Sequence, residues 1–247
     1  MSASPYSVLS VLSPAERADA ASWRNISFHR PPALSLPNKA NRTLPPQVIP
    51  RHIMQTGFTW SHAFSRHPDY VNSWIDLNPE YEYSFFGDEH ARRFIERHGT
   101  PKEAAAFRRI LTGAQRADLF RVVWLKVAGG VYADLDEELR TPLRRLIGGK
   151  DANGAGVPRT ASAVIGTFWP FEFLLYAPDH PVMKATAEIM ADGILLQVRA
   201  RTRARAPCLL SDAPPSHGDS DSASASGRGR HGCDVALRLT AAGRPAA

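Results

Sequence analysis

The sequence predicts an α/β fold, and three observations lead to this prediction. Short apolar runs typical of strands alternate with segments that have helical periodicity and helix-capping residues. One predicted helix is apolar over almost its whole circumference. That helix runs through two glycines into a short strand that ends in acidic residues. With 247 residues and 43% hydrophobic side chains, the chain can fill a core.

The first half of the chain alternates between the two kinds of element. Residues 47–57, QVIPRHIMQTG, predict a strand, because branched apolar side chains precede a glycine. The next elements are a helix over 68–78, an aromatic strand over 81–86, a helix over 88–98 with Asp88 as N-cap and Gly99 past its end, and a helix from 100 with Thr100 and Glu103 as a capping box.

The apolar helix, predicted over 114–128, carries one narrow polar stripe. Gln115, Asp118 and Arg121 recur at every third position. A buried charge has to be paired or used, because an isolated ion in an apolar interior is too costly. Two interpretations stay open: Asp118 and Arg121 form a structural ion pair, or the stripe faces a ligand.

A strand is predicted over 131–135, directly after the two glycines. Since residues two apart share a face of a strand, Tyr132, Asp134 and Asp136 are expected to point the same way. Two carboxylates at a sheet edge suit Mg²⁺ or Mn²⁺, and such an ion would let them accept a diphosphate. A solvated acidic loop is the alternative, because D-x-D alone is a weak motif.

Composition divides the chain into three parts. Residues 1–46 are rich in Ser, Ala and Pro and predict a disordered lead-in, 47–198 form the folded domain, and 199–247 predict a disordered tail rich in Arg and Ser. Within the domain, a strand is expected in 161–169 and a helix in 180–198. The net charge of +6 lies mostly in the tail, which has eight arginines and four aspartates against 22 basic and 20 acidic residues before it. No nucleic acid is therefore expected as partner of the domain.

Three segments together resemble the glycosyltransferase family 32 domain that contains the DXD motif and, more distantly, the glucosyltransferase domain of large clostridial toxins. The family shows Ile-Pro-x-x-Ile-x-Gln-Thr on its first strand, then a Trp and Asn-Pro-x-Tyr-x-Tyr, then Asp-x-x-Arg before Gly-Gly-x-Tyr-x-Asp-x-Asp. The matching residues are Ile49, Pro50, Ile53, Gln55 and Thr56, then Trp74, Asn78, Pro79, Tyr81 and Tyr83, then Asp118, Arg121, Gly129, Gly130, Tyr132, Asp134 and Asp136.

The resemblance implies a GT-A-like, Rossmann-like domain that binds a nucleotide sugar. The implied metal ligands of Mn²⁺ or Mg²⁺ are Asp134 and Asp136. The implied donor-sugar residues are Asp118, Arg121, Tyr132 and Asp134, and the implied nucleotide-binding residues are Gln55 and Thr56. No catalytic residue is assigned, because a donor that leaves as a metal-bound diphosphate requires no obvious protein nucleophile.

The activity implied is hexosyl transfer with retention of configuration, and mannose from GDP-mannose is preferred over a UDP-hexose. The acceptor implied is a glycolipid or a glycan, as for inositol phosphoceramide or N-glycan mannosyltransferases. The resemblance also implies the Golgi or another secretory lumen, with membrane association through a partner or a missing anchor. The chain shows no signal peptide or anchor, so a cytoplasmic location stays open.

The C-terminal part departs from the family. Family members continue to a Thr-Gly-Pro turn and to a His and a Trp that close the donor site, whereas this chain passes into Arg and Ser runs. The domain is therefore expected to be C-terminally incomplete, and a relative that binds the donor without turnover is the main alternative. A phosphohydrolase with Asp-x-Asp after a strand and a nucleic-acid-binding protein using RARTRARA, residues 199–206, are weaker alternatives.

Overall fold

The computed structural model describes residues 4–17, 35–36, 45–149, 156–165 and 172–209. Met1–Ala206 forms one compact unit, and the described elements belong to it up to the last turn of the final helix. A second unit, Pro207–Ala247, lies almost wholly outside the described residues. The predicted tail beyond Leu209 lies outside them as well.

Helices and strands alternate along the chain. The strands are β1 (Ser35–Leu36), β2 (His52–Gly57), β3 (Glu82–Gly87), β4 (Gly130–Ala133), β5 (Ala163–Ile165) and β6 (Phe173–Tyr176). The helices are a 3₁₀ turn at Val8–Ser10, then α1 (Trp60–Arg66), α2 (Pro68–Leu77), α3 (Asp88–His98), α4 (Pro101–Phe107), α5 (Gly113–Ala128), α6 (Leu143–Leu146) and α7 (Pro181–Leu209). The predicted α/β class is confirmed.

The six strands form one mixed sheet in the order β1-β3-β2-β4-β6-β5. The three central strands, β3, β2 and β4, are parallel, and the strands outside them pair antiparallel. Because the central strands are parallel, their carboxyl ends meet at one edge of the sheet. Ligands of open α/β sheets bind at such an edge.

Each face of the sheet has its own hydrophobic core. On one face Met54, Phe86 and Tyr132 pack with side chains of α3, α4, α5 and α7. On the other face Ile53 and Phe85 pack with side chains of α1, α2 and α6, including Trp60, Trp74 and Leu143. This is a three-layer arrangement. Buried parallel strands are covered on both sides, as their apolar composition requires.

Two predicted helix caps have different outcomes. Thr100 accepts from the main-chain N–H of Glu103, and Glu103 accepts from the N–H of Thr100, so the predicted capping box is confirmed. Asp88 is the first residue of α3, and Gly87 is the N-cap. The prediction that Asp88 is the cap is wrong, although a carboxylate in the first turn still interacts favourably with the helix dipole.

The predicted lead-in is ordered in its described part. Val8, Val11 and Leu12 are buried in the core beside α5. The main-chain N–H of Val8 donates to Ser84 Oγ on β3 at 3.4 Å. Apolar side chains spaced along this Ser-rich segment are thus enough to pack residues 4–17 against the core. Residues 18–34 and 37–44 lie outside the described part.

Other predicted boundaries also differ. The strand expected over 131–135 is β4, which ends at Ala133, so Asp134 and Asp136 lie in the loop after it. Of the strand expected over 161–169, residues 161–165 are described, and the strand there, β5, spans Ala163–Ile165. α7 continues past residue 198 to Leu209. The division at 46 and 198 stays a prediction.

Gly129 and Gly130 join α5 to β4 without any loop. Both have positive φ, 63° and 110°, which disfavours residues with a side chain. A Cβ on Gly129 would lie 2.5 Å from the main-chain nitrogen of Pro178, and a Cβ on Gly130 would lie 2.5 Å from the carbonyl oxygen of His52. Both conformation and close backbone approach therefore require glycine here.

Gly130→Ala is expected to lower the free energy of unfolding by at least about 2 kcal/mol, because it adds strain at positive φ to a clash with β2. Gly193→Ala in α7 is the matched control. Nothing lies within 4 Å of its added Cβ, so it should raise stability by up to about 1 kcal/mol. Urea unfolding of both variants measures this. Equal effects would contradict the role assigned to the turn.

His52 gives the fold a pH dependence. Burial lowers the pKa of His52 to about 3, and its Nε2 lies 2.9 Å from Ser84 Oγ. In the unfolded chain His52 is protonated below about pH 6.5, whereas in the folded protein it stays neutral down to about pH 3. Between these two pH values the unfolded state binds more protons, so the free energy of unfolding falls as the pH falls. From pH 8 to 5 the loss attributable to His52 is about 2 kcal/mol.

His52→Gln should remove this contribution, so the wild type should lose about 2 kcal/mol more than the variant over the same pH interval. Urea unfolding at several pH values gives the two curves. The difference between them matters, because all other titrating groups are common to both proteins. Parallel curves would show that His52 is protonated in the folded state.

Candidate active site

The candidate site lies at the carboxyl ends of the parallel strands, where α5 passes beside β4. Asp134 directly follows β4, and Asp136 lies in the turn after it. Asp118 and Arg121 come from the middle of α5. The elements that carry the predicted donor-sugar and metal residues are thus adjacent.

A buried guanidinium joins these residues. The side chain of Arg121 is 8% exposed, and its Nη2 donates to Asp118 Oδ1 at 2.7 Å. Its Nη1 lies 3.4 Å from Asp134 Oδ1. The guanidinium carbon also lies 4.5 Å from the centre of the Tyr132 ring, a cation–π distance. Arg121 therefore connects helix and strand through three partners.

Asp118 and Tyr132 lie at different depths. The side chain of Asp118 is 49% exposed, so one carboxylate of the Arg121 pair faces solvent. Tyr132 is 1% exposed, and its hydroxyl donates to Asp134 Oδ1. The ion pair between Asp118 and Arg121 is present, and its acidic member is open to a ligand. Both interpretations of the polar stripe are thus compatible with this geometry.

Asp134 stands among other carboxylates. Burial raises the pKa of Asp134, and Asp136 and Glu172 act in the same direction, while Arg121 and the Tyr132 hydroxyl oppose them. Burial also raises the pKa of Glu137, together with a hydrogen bond to Glu172. Carboxylates this close repel one another, and a cation would relieve the repulsion.

These residues fit a divalent cation as a two-carboxylate site. Within the described residues, three or more His, Cys, Asp or Glu side chains are nowhere arranged to hold a metal. Asp134 is partly buried and Asp136 is exposed. Two hard oxygen ligands beside solvent leave coordination positions for water and phosphate, which is typical of Mg²⁺ sites.

Gln55 and Thr56 lie close to this edge but are covered. Gln55 is 0% exposed, and its Nε2 donates to the carbonyl oxygen of Asp134 at 3.0 Å. Thr56 is also buried, and its hydroxyl donates to the carbonyl oxygen of Phe86 at 2.8 Å. Both residues are predicted to bind the nucleotide. Because their side chains are buried, their main-chain atoms at the end of β2 would have to make this contact.

A cavity of about 410 Å³ adjoins Asp136 at the junction of α1 and α2. Its lining includes Arg66, His67 and Tyr70, and the last two rings stack at 5.8 Å. Sequence reasoning did not single out these residues. Their only sequence signal is a basic and aromatic cluster, RHPDY, beside a helix start at Pro68, and α1 itself was not predicted.

The middle of the chain matches a known family. Residues 65–153 match the model described as the glycosyltransferase sugar-binding region containing the DXD motif. The resemblance to glycosyltransferase family 32 is confirmed over these residues. The matched segment contains Asp118, Arg121, Tyr132, Asp134 and Asp136, which the fold brings together, whereas Gln55 and Thr56 precede it.

Curated relatives of the chain are named as mannosyltransferases or synthases. Mannosyl phosphorylinositol ceramide synthase CSH1 of Saccharomyces cerevisiae is 35% identical over 114 residues, which is 42% of this chain and 28% of that protein. Inositol phosphoceramide mannosyltransferase 2 of Schizosaccharomyces pombe is 37% identical over 106 residues, 40% of this chain and 28% of that protein. The initiation-specific alpha-1,6-mannosyltransferase of Candida albicans is 32% identical over 93 residues, 36% and 24% respectively.

The chain thus spans about a quarter of the length of these relatives. No solved structure matches the chain significantly. The matches support a glycosyltransferase.

Removing the buried guanidinium of Arg121 should destabilise the folded protein. Arg121→Met leaves the partly buried carboxylate of Asp134 without its cation and is expected to lower the free energy of unfolding by about 3 kcal/mol. Asp118→Asn is the matched control from the same ion pair. Its carboxylate is half exposed, so the loss should stay below about 1 kcal/mol. Urea unfolding at pH 7 measures both, and similar losses would contradict the central place of Arg121.

Proposed function

We propose that this chain is a metal-dependent retaining glycosyltransferase with a GT-A-like fold, which transfers a hexose from a nucleotide sugar. The observation that carries the proposal is the cluster of Asp118, Arg121, Tyr132 and Asp134 beside Asp136. It lies at the carboxyl ends of parallel strands and within the segment that matches the DXD family. The mixed α/β sheet supports the fold assignment.

The site divides into a metal part and a sugar part. Asp134 and Asp136 would hold Mn²⁺ or Mg²⁺, which when bound neutralises charge on the departing diphosphate. The half-exposed Asp118 carboxylate would accept hydrogen bonds from sugar hydroxyls. Arg121 would hold Asp118 and Asp134 in place, and Tyr132 would form the wall behind them. No nucleophile is assigned.

For the donor we propose GDP-mannose, because the named relatives carry the words mannosyl or mannosyltransferase. The main chain at Gln55 and Thr56 would lie along the nucleotide. A UDP-hexose is the alternative donor.

For the acceptor we propose a glycolipid of the inositol phosphoceramide class, with a glycan core as the alternative. The cavity beside Asp136 supports this choice. Besides Asp69 and the proposed metal ligand Asp136, it is lined by Arg66, which suits an acceptor phosphate, and by Tyr70, whose ring suits a sugar face.

We propose a secretory compartment such as the Golgi by the family resemblance. Among the described helices, none combines the length and apolar character needed to cross a bilayer. By the same family resemblance we propose that the protein associates with a membrane through a partner.

Donor binding tests the proposal directly. Calorimetric titration with GDP-mannose, UDP-glucose and UDP-galactose, with and without Mn²⁺, should show binding of one donor that depends on the metal. Asp136→Ala should abolish it by removing a proposed metal ligand. Glu138→Ala is the matched control, an exposed acid in the same loop that pairs with Arg140, and it should leave binding within about twofold.

A transfer assay then separates the candidate functions. Release of GDP with mannosylation of inositol phosphoceramide in detergent supports the transferase, and donor binding without transfer supports the non-catalytic relative. If no donor binds in a metal-dependent way, both the transferase and the non-catalytic donor-binding protein are ruled out.

A further inference from the structure

The loop that carries the two aspartates is anchored by hydrogen bonds from side chains to its main chain. We define the DXD loop as residues 134–143, from the end of β4 to the first residue of α6. Main-chain groups at four of its positions, 134, 137, 139 and 143, bond to side chains of β2 and α2 or of the turn after α2. Trp74 packs in the core on the face of the sheet opposite α5, and Gln55, two residues after Ile53 on β2, points to the same face. Besides one main-chain bond, from the Asp134 N–H to the carbonyl oxygen of Glu172 at 2.9 Å, the DXD loop is therefore fixed by side chains.

Gln55 makes the first of these bonds. Its Nε2 donates to the carbonyl oxygen of Asp134, and the Tyr83 hydroxyl donates to its Oε1 at 2.8 Å. Because a carbonyl oxygen can only accept, the amide nitrogen has to face Asp134, which leaves Oε1 for Tyr83. Both ends of a fully buried carboxamide are thus engaged. The chain of bonds runs from β3 through β2 to the first residue of the DXD loop.

α2 and the turn after it supply the other three bonds. Trp74 Nε1 donates to the carbonyl oxygen of Glu137 at 2.7 Å, one residue past Asp136. Ser73 Oγ accepts from the N–H of Leu139 at 2.9 Å, and Asn78 Oδ1 accepts from the N–H of Leu143 at 2.8 Å. Asp136 therefore lies between two anchored carbonyls, those of Asp134 and Glu137.

We infer that Gln55 and Trp74 are positioning residues for the aspartates of the DXD loop, and that their side chains make no contact with the donor. Gln55 fixes the main chain at Asp134, and Trp74 fixes it just after Asp136. Tyr83 acts one step further back by orienting the Gln55 carboxamide. Metal ligands on an exposed loop need other residues to hold them in place. Mutating residues that orient metal ligands typically changes metal affinity about 10- to 100-fold.

This inference rests on the proposed function for its ligand, so its test has one readout that needs no donor. Hydrogen exchange of the unliganded chain is measured for peptides covering the DXD loop and for peptides covering β2, β3 and β4. Gln55→Met keeps the size of the side chain but removes both bonds. The DXD loop should then exchange at least about tenfold faster, because its first anchor is lost.

Two further variants separate positioning from stability. Ser84→Ala neighbours Tyr83 on β3, but its hydroxyl serves His52 and Val8 on the other face. It should lower global stability and leave the relative exchange of the DXD loop unchanged. Tyr83→Phe should give an acceleration between those of the other two, because Gln55 can still donate once Tyr83 no longer orients it.

Metal-dependent donor binding is the second readout. With Mn²⁺ and the donor that the wild type binds, Gln55→Met and Trp74→Phe should weaken binding about 10- to 100-fold, and Ser84→Ala should not. Unchanged exchange of the DXD loop in Gln55→Met, or an equal change in Ser84→Ala, would overturn the inference. If the wild type binds no donor while exchange behaves as expected, the proposed function fails and the positioning role stands.

Discussion

The turn at Gly129 and Gly130 determines which residues can meet at the site. α5 runs back from the turn for about 12 Å to Arg121 at 1.5 Å per residue, and β4 runs forward for about 13 Å to Asp134 at 3.3 Å per residue. The two side chains therefore stand at the same height above the turn, which is consistent with the 3.4 Å between Arg121 Nη1 and Asp134 Oδ1. Asp118 lies one helical turn higher, beyond the strand end, and is accordingly half exposed.

This geometry orders the charges from the interior outwards. The Arg121 guanidinium is buried against Tyr132, and Asp134 is drawn inwards by both. Asp136 stays exposed in the turn, with Glu137 and Glu172 close enough to affect the pKa values of their neighbours. One buried cation cannot neutralise so many carboxylates. The excess negative charge faces outwards, where a divalent cation and a diphosphate can complete the balance.

Local patterns predicted the parts of the site that are close in sequence. The apolar cylinder of α5, its stripe of Asp118 and Arg121, and the glycine turn into β4 all follow from periodicity and residue type, because helix and strand are consecutive. The hydrogen bond between Gln55 and Asp134 joins residues far apart in the chain, so the local sequence at neither position predicts it. β6 is short and antiparallel beside β4, and its apolar FLLY has no periodicity of its own. The docking of Val8 likewise depends on a surface that only the folded sheet provides.

The end of β4 at Ala133 explains why side chains fix the DXD loop. Continued strand pairing would hold Asp136 in the sheet edge, whereas a turn exposes it and leaves its main chain without ladder partners. Polar groups near a core still need partners, since an unpaired one costs about 1–3 kcal/mol. Gln55 and Trp74 satisfy the carbonyls of Asp134 and Glu137 from beneath. The loop can therefore leave its carboxylates open to ligands while its main chain stays fixed, a combination that a regular strand edge would not provide.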